Sequence, residues 1–314
     1  MKQAPLVSVI IPTFNRSRFV TEAVLSVFDQ TYQPVEIIVV DDGSTDDTAE
    51  VLAPYFQRIQ YIHQPNQGVS VARNTGIKVA TGELIAFLDG DDRWLPSKLA
   101  LQVKCLAKNR DAGLVHSNVS YFGTNDERER PAKGSLTTYA GDCYAELFLR
   151  NRITTSSVLV RRDCLEKVGL FDERIRKAST EDYDLWIRIA RFFEFAYVPD
   201  PVVLYRVHPN NAVNDCRTLI ENERYVLEKS IEADPRLIEK VGRRRVHQRL
   251  FDIYFSIGYG NFAQGYYDEA NQWFARALKH RIDPYTAALW TASKLPPALV
   301  KRMRNLKHVL PRAH

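Results

Sequence analysis

Between residues 7 and 88, short apolar runs alternate with segments of helical spacing, and this rhythm limits the fold more than any other feature of the chain. Val7-Ser8-Val9-Ile10-Ile11 reads as a strand. Residues 18–30 follow with Val20, Val24, Leu25 and Phe28 at helical intervals. Residues 35–40 are almost continuously apolar, as in a strand buried on both faces. Residues 47–55 then read as a helix, 59–62 as a strand, 69–80 as a helix and 84–88 as a fourth strand. Such alternation builds βαβ units with right-handed crossovers, so the expected class is α/β: a Rossmann-like, mainly parallel sheet flanked by helices.

Beyond Asp92 the pattern is mixed. A helix is expected over 98–108, strands over 114–121 and 158–160, a helix over 183–192 and an extended segment over 196–205. The polar stretch 124–133 reads as a solvated loop. Strand signals stop near residue 211, which predicts an α/β domain over 1–212 and an all-helical region over 213–314. Within the latter, Ala263, Gly265, Tyr266, Ala270, Phe274, Ala277, Leu278 and Pro284 sit at offsets that resemble one tetratricopeptide repeat. One copy builds no solenoid, and small residues at helical spacing also serve plain helix-pair packing.

With 314 residues, 45% of them hydrophobic, the chain is long enough for a sizeable core and an appendage. No run approaches the ~18 uncharged apolar residues of a membrane-spanning helix, and the first twenty residues lack a leader pattern. Cys105, Cys143, Cys164 and Cys216 are too irregularly spaced for a zinc site or a disulfide framework, so reduced thiols are expected. The net charge of +5 is modest but uneven. Lys294, Lys301, Arg302, Arg304, Lys307 and Arg312 meet no acidic residue, and Leu295, Leu299, Met303, Leu306 and Leu310 recur among them at helical spacing. That tail suits an anionic membrane surface, a solubilising role or a helix folded back on its own domain. The expected location is the cytoplasm, with peripheral attachment to the inner face of the membrane through the tail. No nucleic-acid partner is expected, and homo-oligomerisation stays open.

In a parallel sheet, polar groups at the carboxyl ends of strands face the ligand crevice. Three strands end suggestively: in Pro12-Thr13-Phe14-Asn15, in Asp41-Asp42-Gly43-Ser44-Thr45-Asp46, and in Asp89-Gly90-Asp91-Asp92. Carboxylates converging on one rim repel unless a cation or donors lie between them. Oxygen ligands of this kind suit magnesium or manganese bound jointly with phosphates. Each piece also has a plainer account. Ser44 with Asp47, and Ser179 with Asp182, fit helix capping boxes, and Asp89-Gly90-Asp91 fits a simple turn. Trp94 reads as core or as a sugar platform.

The order and spacing of these pieces shift the balance. Val7 to Asn15, Val39 to Asp46, Asn66-Gln67-Gly68 through Ala72-Arg73-Asn74 and Gly76, and Thr81-Gly82-Glu83 running into Asp92 form one series. Gly169-Leu170-Phe171-Asp172-Glu173, Glu181-Asp182-Tyr183-Asp184-Leu185-Trp186 and Tyr205-Arg206-Val207-His208 complete it. Over its first two-thirds the chain resembles a family 2 glycosyltransferase of the GT-A fold, inverting and dependent on a nucleotide-sugar donor.

The resemblance implies roles residue by residue. Pro12, Thr13 and Phe14 lie along the nucleobase, with Pro12 lacking a side-chain hydrogen bond, and Asp42 takes the imide edge of a uracil or thymine. Arg73 neutralises the nucleotide, Asp89 with Gly90 meets the ribose or sugar, and Asp91 holds Mn2+ or Mg2+, with His208 as a second contact. Asp182 is the general base, with Glu181 and Asp184 as rivals. Thr155 (with its neighbours Thr154 and Ser156), Phe171, Asp172 and Glu181 lie near the acceptor, a glycan or lipid-linked hydroxyl, as in surface polysaccharide synthesis. A catalytically silent nucleotide-sugar-binding scaffold acting through the helical region is the alternative. A nucleotidyltransferase would place a Gly-rich basic loop after the first strand, where Pro12-Thr13-Phe14-Asn15 stands instead.

Overall fold

The computed structural model describes residues 4–123, 130–131, 139–175, 180–208 and 216–300. The chain divides into two compact units, Met1–Asn214 and Asp215–His314.

The first unit begins with β1 (Val7–Thr13), α1 (Ser17–Phe28), β2 (Val35–Asp41) and α2 (Thr48–Leu52), followed by a 3-10 turn at Ala53–Tyr55. Next come β3 (Gln60–His63), α3 (Val69–Val79), β4 (Leu84–Phe87), β5 (Arg93–Trp94), α4 (Lys98–Lys108) and β6 (Ala112–Gly123). β7 (Arg130–Pro131), α5 (Tyr144–Leu149), a 3-10 turn at Thr155–Ser157, β8 (Leu159–Arg161), α6 (Arg162–Val168), α7 (Glu181–Ala190) and β9 (Glu194–Val207) complete it.

One sheet runs β3-β2-β1-β4-β8-β6-β9-β5, with β7 added to β6. The first four strands are parallel, as their apolar sequences demand, because helices cover both faces. β8 joins β4 and β6 antiparallel, while β6 and β9 pair in parallel. The sheet is therefore parallel on its N-terminal side and mixed beyond it. Val7, Val9, Ile10 and Ile11 are fully buried at its centre. α3 lies so close to β1 that a Cβ on Gly76 would sit 2.5 Å from Ile10 Cγ2.

Local details depart from the expectations drawn from sequence. The helix expected over 47–55 is one turn of α-helix and a 3-10 turn, and Asp47 makes no side-chain cap. The capping box fails because Ser44 is drawn the other way. Its hydroxyl accepts from Asn15 N at 2.9 Å, and its own amide donates to Asp41 Oδ1 at 2.8 Å. In the polar stretch 124–133, Arg130 and Pro131 pair with Tyr121 and Ser120 of β6. Residues 124–129 and 132–133 lie outside the described residues, as does Ser179. Trp94 is a core residue, 3% exposed.

The second unit is helical throughout its described residues: α8 (Cys216–Ala233), α9 (Leu237–Val241), α10 (Arg243–Gln264), α11 (Tyr267–His280) and α12 (Pro284–Ala292). Gly265 turns α10 into α11 in the left-handed conformation, φ 91°, which a side chain resists. Gly258 lets the ring of Phe274 in, since a Cβ there would lie 2.8 Å from it. Asp283 caps α12 by accepting from Thr286 N at 2.8 Å. Among the described residues no helix is long and apolar enough to cross a membrane. Most of the basic tail, 301–314, lies outside them. Cys105, Cys143 and Cys164 are free thiols, and burial pushes Cys164 well up.

Candidate active site

The carboxyl ends of β1, β2 and β4 meet at one rim. Asn15, at φ 50°, turns the chain after β1, and its Oδ1 accepts from Thr45 N at 2.8 Å, tying the first two loops together. Thr13 is buried and its hydroxyl has no partner. Phe14 is 44% exposed beside it. Gly90 lets the acidic turn approach β1, because a Cβ would fall 3.1 Å from the Pro12 carbonyl oxygen and 3.4 Å from Thr13 Oγ1.

Asp42 is buried. Its Oδ1 accepts from Gln64 Nε2 at 2.7 Å and Gln67 N at 3.0 Å, and its Oδ2 accepts from Gly68 N at 2.7 Å. Gln67 N also reaches Oδ2 at 3.2 Å, so the roughly four lone-pair positions of this carboxylate are already engaged in holding the loop that leads into α3.

The acidic turn is distributed among different partners. Asp89 Oδ1 meets Arg73 Nη2 at 2.6 Å. Asp91 Oδ2 lies 3.0 Å from His208 Nε2 and 3.5 Å from Arg16 Nε. Asp92 is buried, accepting from Ser156 Oγ at 2.6 Å and Arg206 N at 2.9 Å. Burial, then the charges of Asp91 and Asp89, push the Asp92 carboxyl well above the ordinary range. Asp89 is also raised, chiefly by burial and against the pull of Arg73. Arg206 braces the turn by donating from Nε to the Asp91 carbonyl at 2.8 Å and from Nη2 to Glu22 at 2.7 Å. Phe19 stacks on His208 with centroids 5.5 Å apart.

α7 brings its acids to this rim through Arg73. The Arg73 guanidinium is buried and donates from Nη1 to Glu181 Oε1 at 2.5 Å while holding Asp89 with Nη2. It lies inside the cluster as the bridge between two carboxylates. Asp182, next along α7, accepts from Thr155 Oγ1 at 2.9 Å and from Tyr183 N at 2.6 Å, with Asn151 Nδ2 at 3.4 Å. Burial and the neighbouring Glu181 charge push its carboxyl up to about 7, against the opposing Thr155 hydrogen bond and Arg73. Asp184 points elsewhere, 2.8 Å from Arg188 Nη2. Arg188 in turn donates to the carbonyls of Val168 and Leu170, both at 2.7 Å.

Phe171 and Asp172 were expected at the acceptor. The Phe171 ring is 3% exposed, edge-on to Phe87 at 5.2 Å, so it packs the core beneath the site. Its loop is pinned to α3, where Asn74 exchanges hydrogen bonds with Phe171 N and O, both at 3.0 Å. Asp172 pairs with Arg174 at 2.7 Å. Sequence patterns assign no role to Asn151, nor to the Ser156 contact that links Asp89 N to Asp92. Adjacency to Thr155 is the one signal for Ser156.

Among the described residues no group of three or more His, Cys, Asp or Glu is poised around a metal position. Magnesium and manganese commonly take only one or two protein carboxylates, the rest of the shell coming from phosphates and water. Asp91 beside His208 Nε2, with the partly exposed Asp89 next to it, is a donor set of that kind and fits a divalent cation shared with a diphosphate.

The architecture resembles that of the mannosyltransferase PcManGT from Pyrobaculum calidifontis in complex with GDP-Man and Mn2+: TM-score 0.63 at 21% identity, over 97% of this chain and 84% of that one. It also resembles S. aureus TarS 1-349 in complex with UDP-GlcNAc, with TM-score 0.59 at 16% identity, over 95% and 91%. The fold is thus that of a GT-A glycosyltransferase. The model of glycosyl transferase family 2 matches residues 8–169, and an uncharacterized glycosyltransferase of Rickettsia typhi is 33% identical over 235 residues, 70% of this chain and 71% of that protein. The chain belongs to glycosyl transferase family 2. Some relatives are longer: a Rickettsia conorii glycosyltransferase, 37% identical over 186 residues, is matched over only 30% of its length.

Proposed function

We propose that residues 1–212 form an inverting, divalent-metal-dependent transferase that moves a sugar from a nucleotide diphosphate, of the UDP type, to a hydroxyl of a glycan or lipid-linked acceptor. The observation that carries this reading is the state of Asp182: a buried carboxyl raised to about 7, tied through Glu181 and Arg73 to the acidic turn. A base is most effective when its pKa lies near the working pH. Asp182 Oδ2 takes the acceptor proton as the hydroxyl oxygen attacks the anomeric carbon. The nucleotide diphosphate leaves from the opposite face, and the anomeric configuration inverts.

The other residues orient the donor. Phe14, exposed beside buried Thr13, offers its ring to the base, while the unpartnered Thr13 hydroxyl and Gly90 leave room and a polar contact next to the Pro12 carbonyl. Asp42 shapes the base-facing loop, and the imide edge of a base would compete there with the longest of its bonds, from Gln67 N to Oδ2 at 3.2 Å. Asp89, held by Arg73, meets the ribose or sugar, and Thr155 holds Asp182 toward the acceptor. Asp91 and His208 would hold the cation, which would neutralise charge on the departing diphosphate. The likeness to TarS 1-349, solved in complex with UDP-GlcNAc, supports a uracil donor, and the likeness to PcManGT, solved with GDP-Man and Mn2+, supports the metal.

Isothermal titration of UDP, with and without manganese, tests the donor site. Manganese-dependent binding that the Asp91→Ala variant lacks is the expected result. Silence toward UDP, GDP and dTDP alike refutes the donor site and favours a scaffold acting through the helical region.

A further inference from the structure

The 3-10 turn Thr155–Ser157 and the residue after it carry three consecutive carbonyls, each held by a buried side chain from one stretch of chain. Trp94 Nε1 donates to Ser156 O at 2.8 Å, Gln102 Nε2 to Ser157 O at 2.6 Å, and Lys98 Nζ to Val158 O at 3.2 Å. The donors recur every fourth residue: Lys98 and Gln102 stack on one face of α4, and Trp94 precedes them in β5. Lys98 and Gln102 are both fully buried.

Lys98 breaks two local rules. It opens a helix, where the macrodipole disfavours a cation. It is also buried with no carboxylate in ion-pair reach among the described residues; its amine sits 3.7 Å from the Trp94 ring centroid. Burial holds that amine well below the usual lysine range. A residue that violates burial and helix preferences at once is expected where something other than stability is served. A methionine of equal length would fill the space and leave only the Val158 carbonyl without its donor.

What the gripped turn touches is the site. Thr155 Oγ1 donates to Asp182, Ser156 Oγ donates to Asp92, and Ser156 Oγ accepts from Asp89 N. One turn thus contacts both the acidic turn after β4 and the carboxylate of α7.

We infer that Trp94, Lys98 and Gln102 are positioning residues: a three-donor comb that fixes the Thr155–Ser157 turn and thereby sets the base, Asp182, against the donor-binding acids. The inference rests on the reading of Asp182 as base. The Thr155 hydrogen bond favours the Asp182 carboxylate, as does the Arg73 charge from α3 and the Tyr183 amide, while Glu181 opposes it. Asn151 is the remaining polar group against it. Loosening the comb therefore raises the pH at which the base becomes available.

The test compares wild type, Lys98→Met, Gln102→Met, Thr155→Val and the Lys98→Met/Thr155→Val double variant. Nucleotide release from UDP-glucose, UDP-N-acetylglucosamine and GDP-mannose is followed across pH, beside UDP titrations and hydrogen exchange. Each comb variant is expected to lower kcat at least ~10-fold, since misplacements near 1 Å cost that or more, with UDP affinity within about threefold. The acid limb of kcat moves to higher pH, and Lys98→Met adds no further shift once Thr155 is valine, because both act through one hydrogen bond. Exchange quickens at the Ser157, Val158 and Tyr183 amides but not in β1 or β2. An acid limb that stays in place, or shifts that simply add, overturns the inference and leaves Lys98 as core filling. Unchanged exchange at the turn overturns it without any activity measurement. If Asp182→Asn keeps the acid limb, the base assignment fails instead, and the exchange pattern alone decides whether the comb holds the turn.

Discussion

Replacing Asp182 by asparagine separates stability from chemistry, because the two are expected to move in opposite directions. In the folded chain this carboxyl keeps its proton up to about pH 7, against an ordinary value of 3.8. Between those values the native state binds more protons than the unfolded chain, so wild-type stability falls as pH rises from about 4 to about 7. Each pKa unit between 3.8 and about 7 corresponds to ~1.4 kcal/mol, which amounts to roughly 4 kcal/mol at pH 8, already net of the Thr155 and Tyr183 hydrogen bonds that favour the charge. Asparagine is isosteric and always neutral, so it bears none of this cost. At ~2–4 °C per kcal/mol for a unit of this size, the variant melts on the order of 10 °C above wild type at pH 8. Near pH 4.5, where the folded carboxyl is still neutral and only the unfolded one has ionised, the gap shrinks to roughly 1 kcal/mol, a few degrees. Nucleotide release from the donor falls at least ~100-fold in the variant if Asp182 is the base. Melting curves from pH 4.5 to 8.5 decide the matter. A gap that does not change with pH, or a variant less stable at pH 8, refutes the account of a carboxyl charged at a cost.

Arg73→Met removes the cation between Asp89 and Glu181 and leaves the buried Glu181 facing the partly exposed Asp89. Stranding buried partners costs about 3–5 kcal/mol, so a large loss of melting temperature is expected at pH 7, smaller at pH 4.5; equal losses at both would contradict the electrostatic cause. Gly76→Ala places a methyl 2.5 Å from Ile10 Cγ2, where strand and helix both resist movement. Overpacking of that kind costs about 1–3 kcal/mol, measurable by denaturant unfolding, and a neutral result would mean that α3 is free to shift away from β1.

The parallel half of the sheet was legible because its strands are buried on both faces and its helices present one apolar stripe, so period alone separates them. The short elements were not. α5 and α6 span six and seven residues, too few for a helical period to stand out from a loop. α2 is shorter than its sequence pattern because Ser44, which reads as a helix cap, spends its hydroxyl on Asn15 twenty-nine positions away. Asp42, Asp89, Asp91 and Asp92 are marked by their place after strands, while Glu181 and Asp182 open a helix, where acids also serve plain capping. Their partners are not marked, because partners lie at separations such as Arg73 to Glu181 that no local pattern encodes. Spacing alone does not tell Asp182 from Asp184; the structure does so by giving Asp184 to Arg188.

The division of charge explains why the site needs both a buried arginine and protonated acids. Asp89, Asp91, Asp92, Glu181 and Asp182 crowd one rim, and Arg73 can answer for only two of them. Asp92 and Asp182 shed the excess by holding protons well above the usual carboxylate range. For Asp92, burial and the neighbouring acids hold the proton on, against the hydrogen bonds from Ser156 and Arg206 that favour the charge. For Asp182 the proposed role as base gives the proton a use, because a carboxyl that titrates near 7 accepts a proton and returns it at the same pH. Asp91 is left at the open end, with His208 and Arg16 as its neighbours. The rim therefore grades from a buried, proton-holding interior to an ionic mouth, the polarity that the proposed reaction needs, with the diphosphate outside and the acceptor hydroxyl against the base.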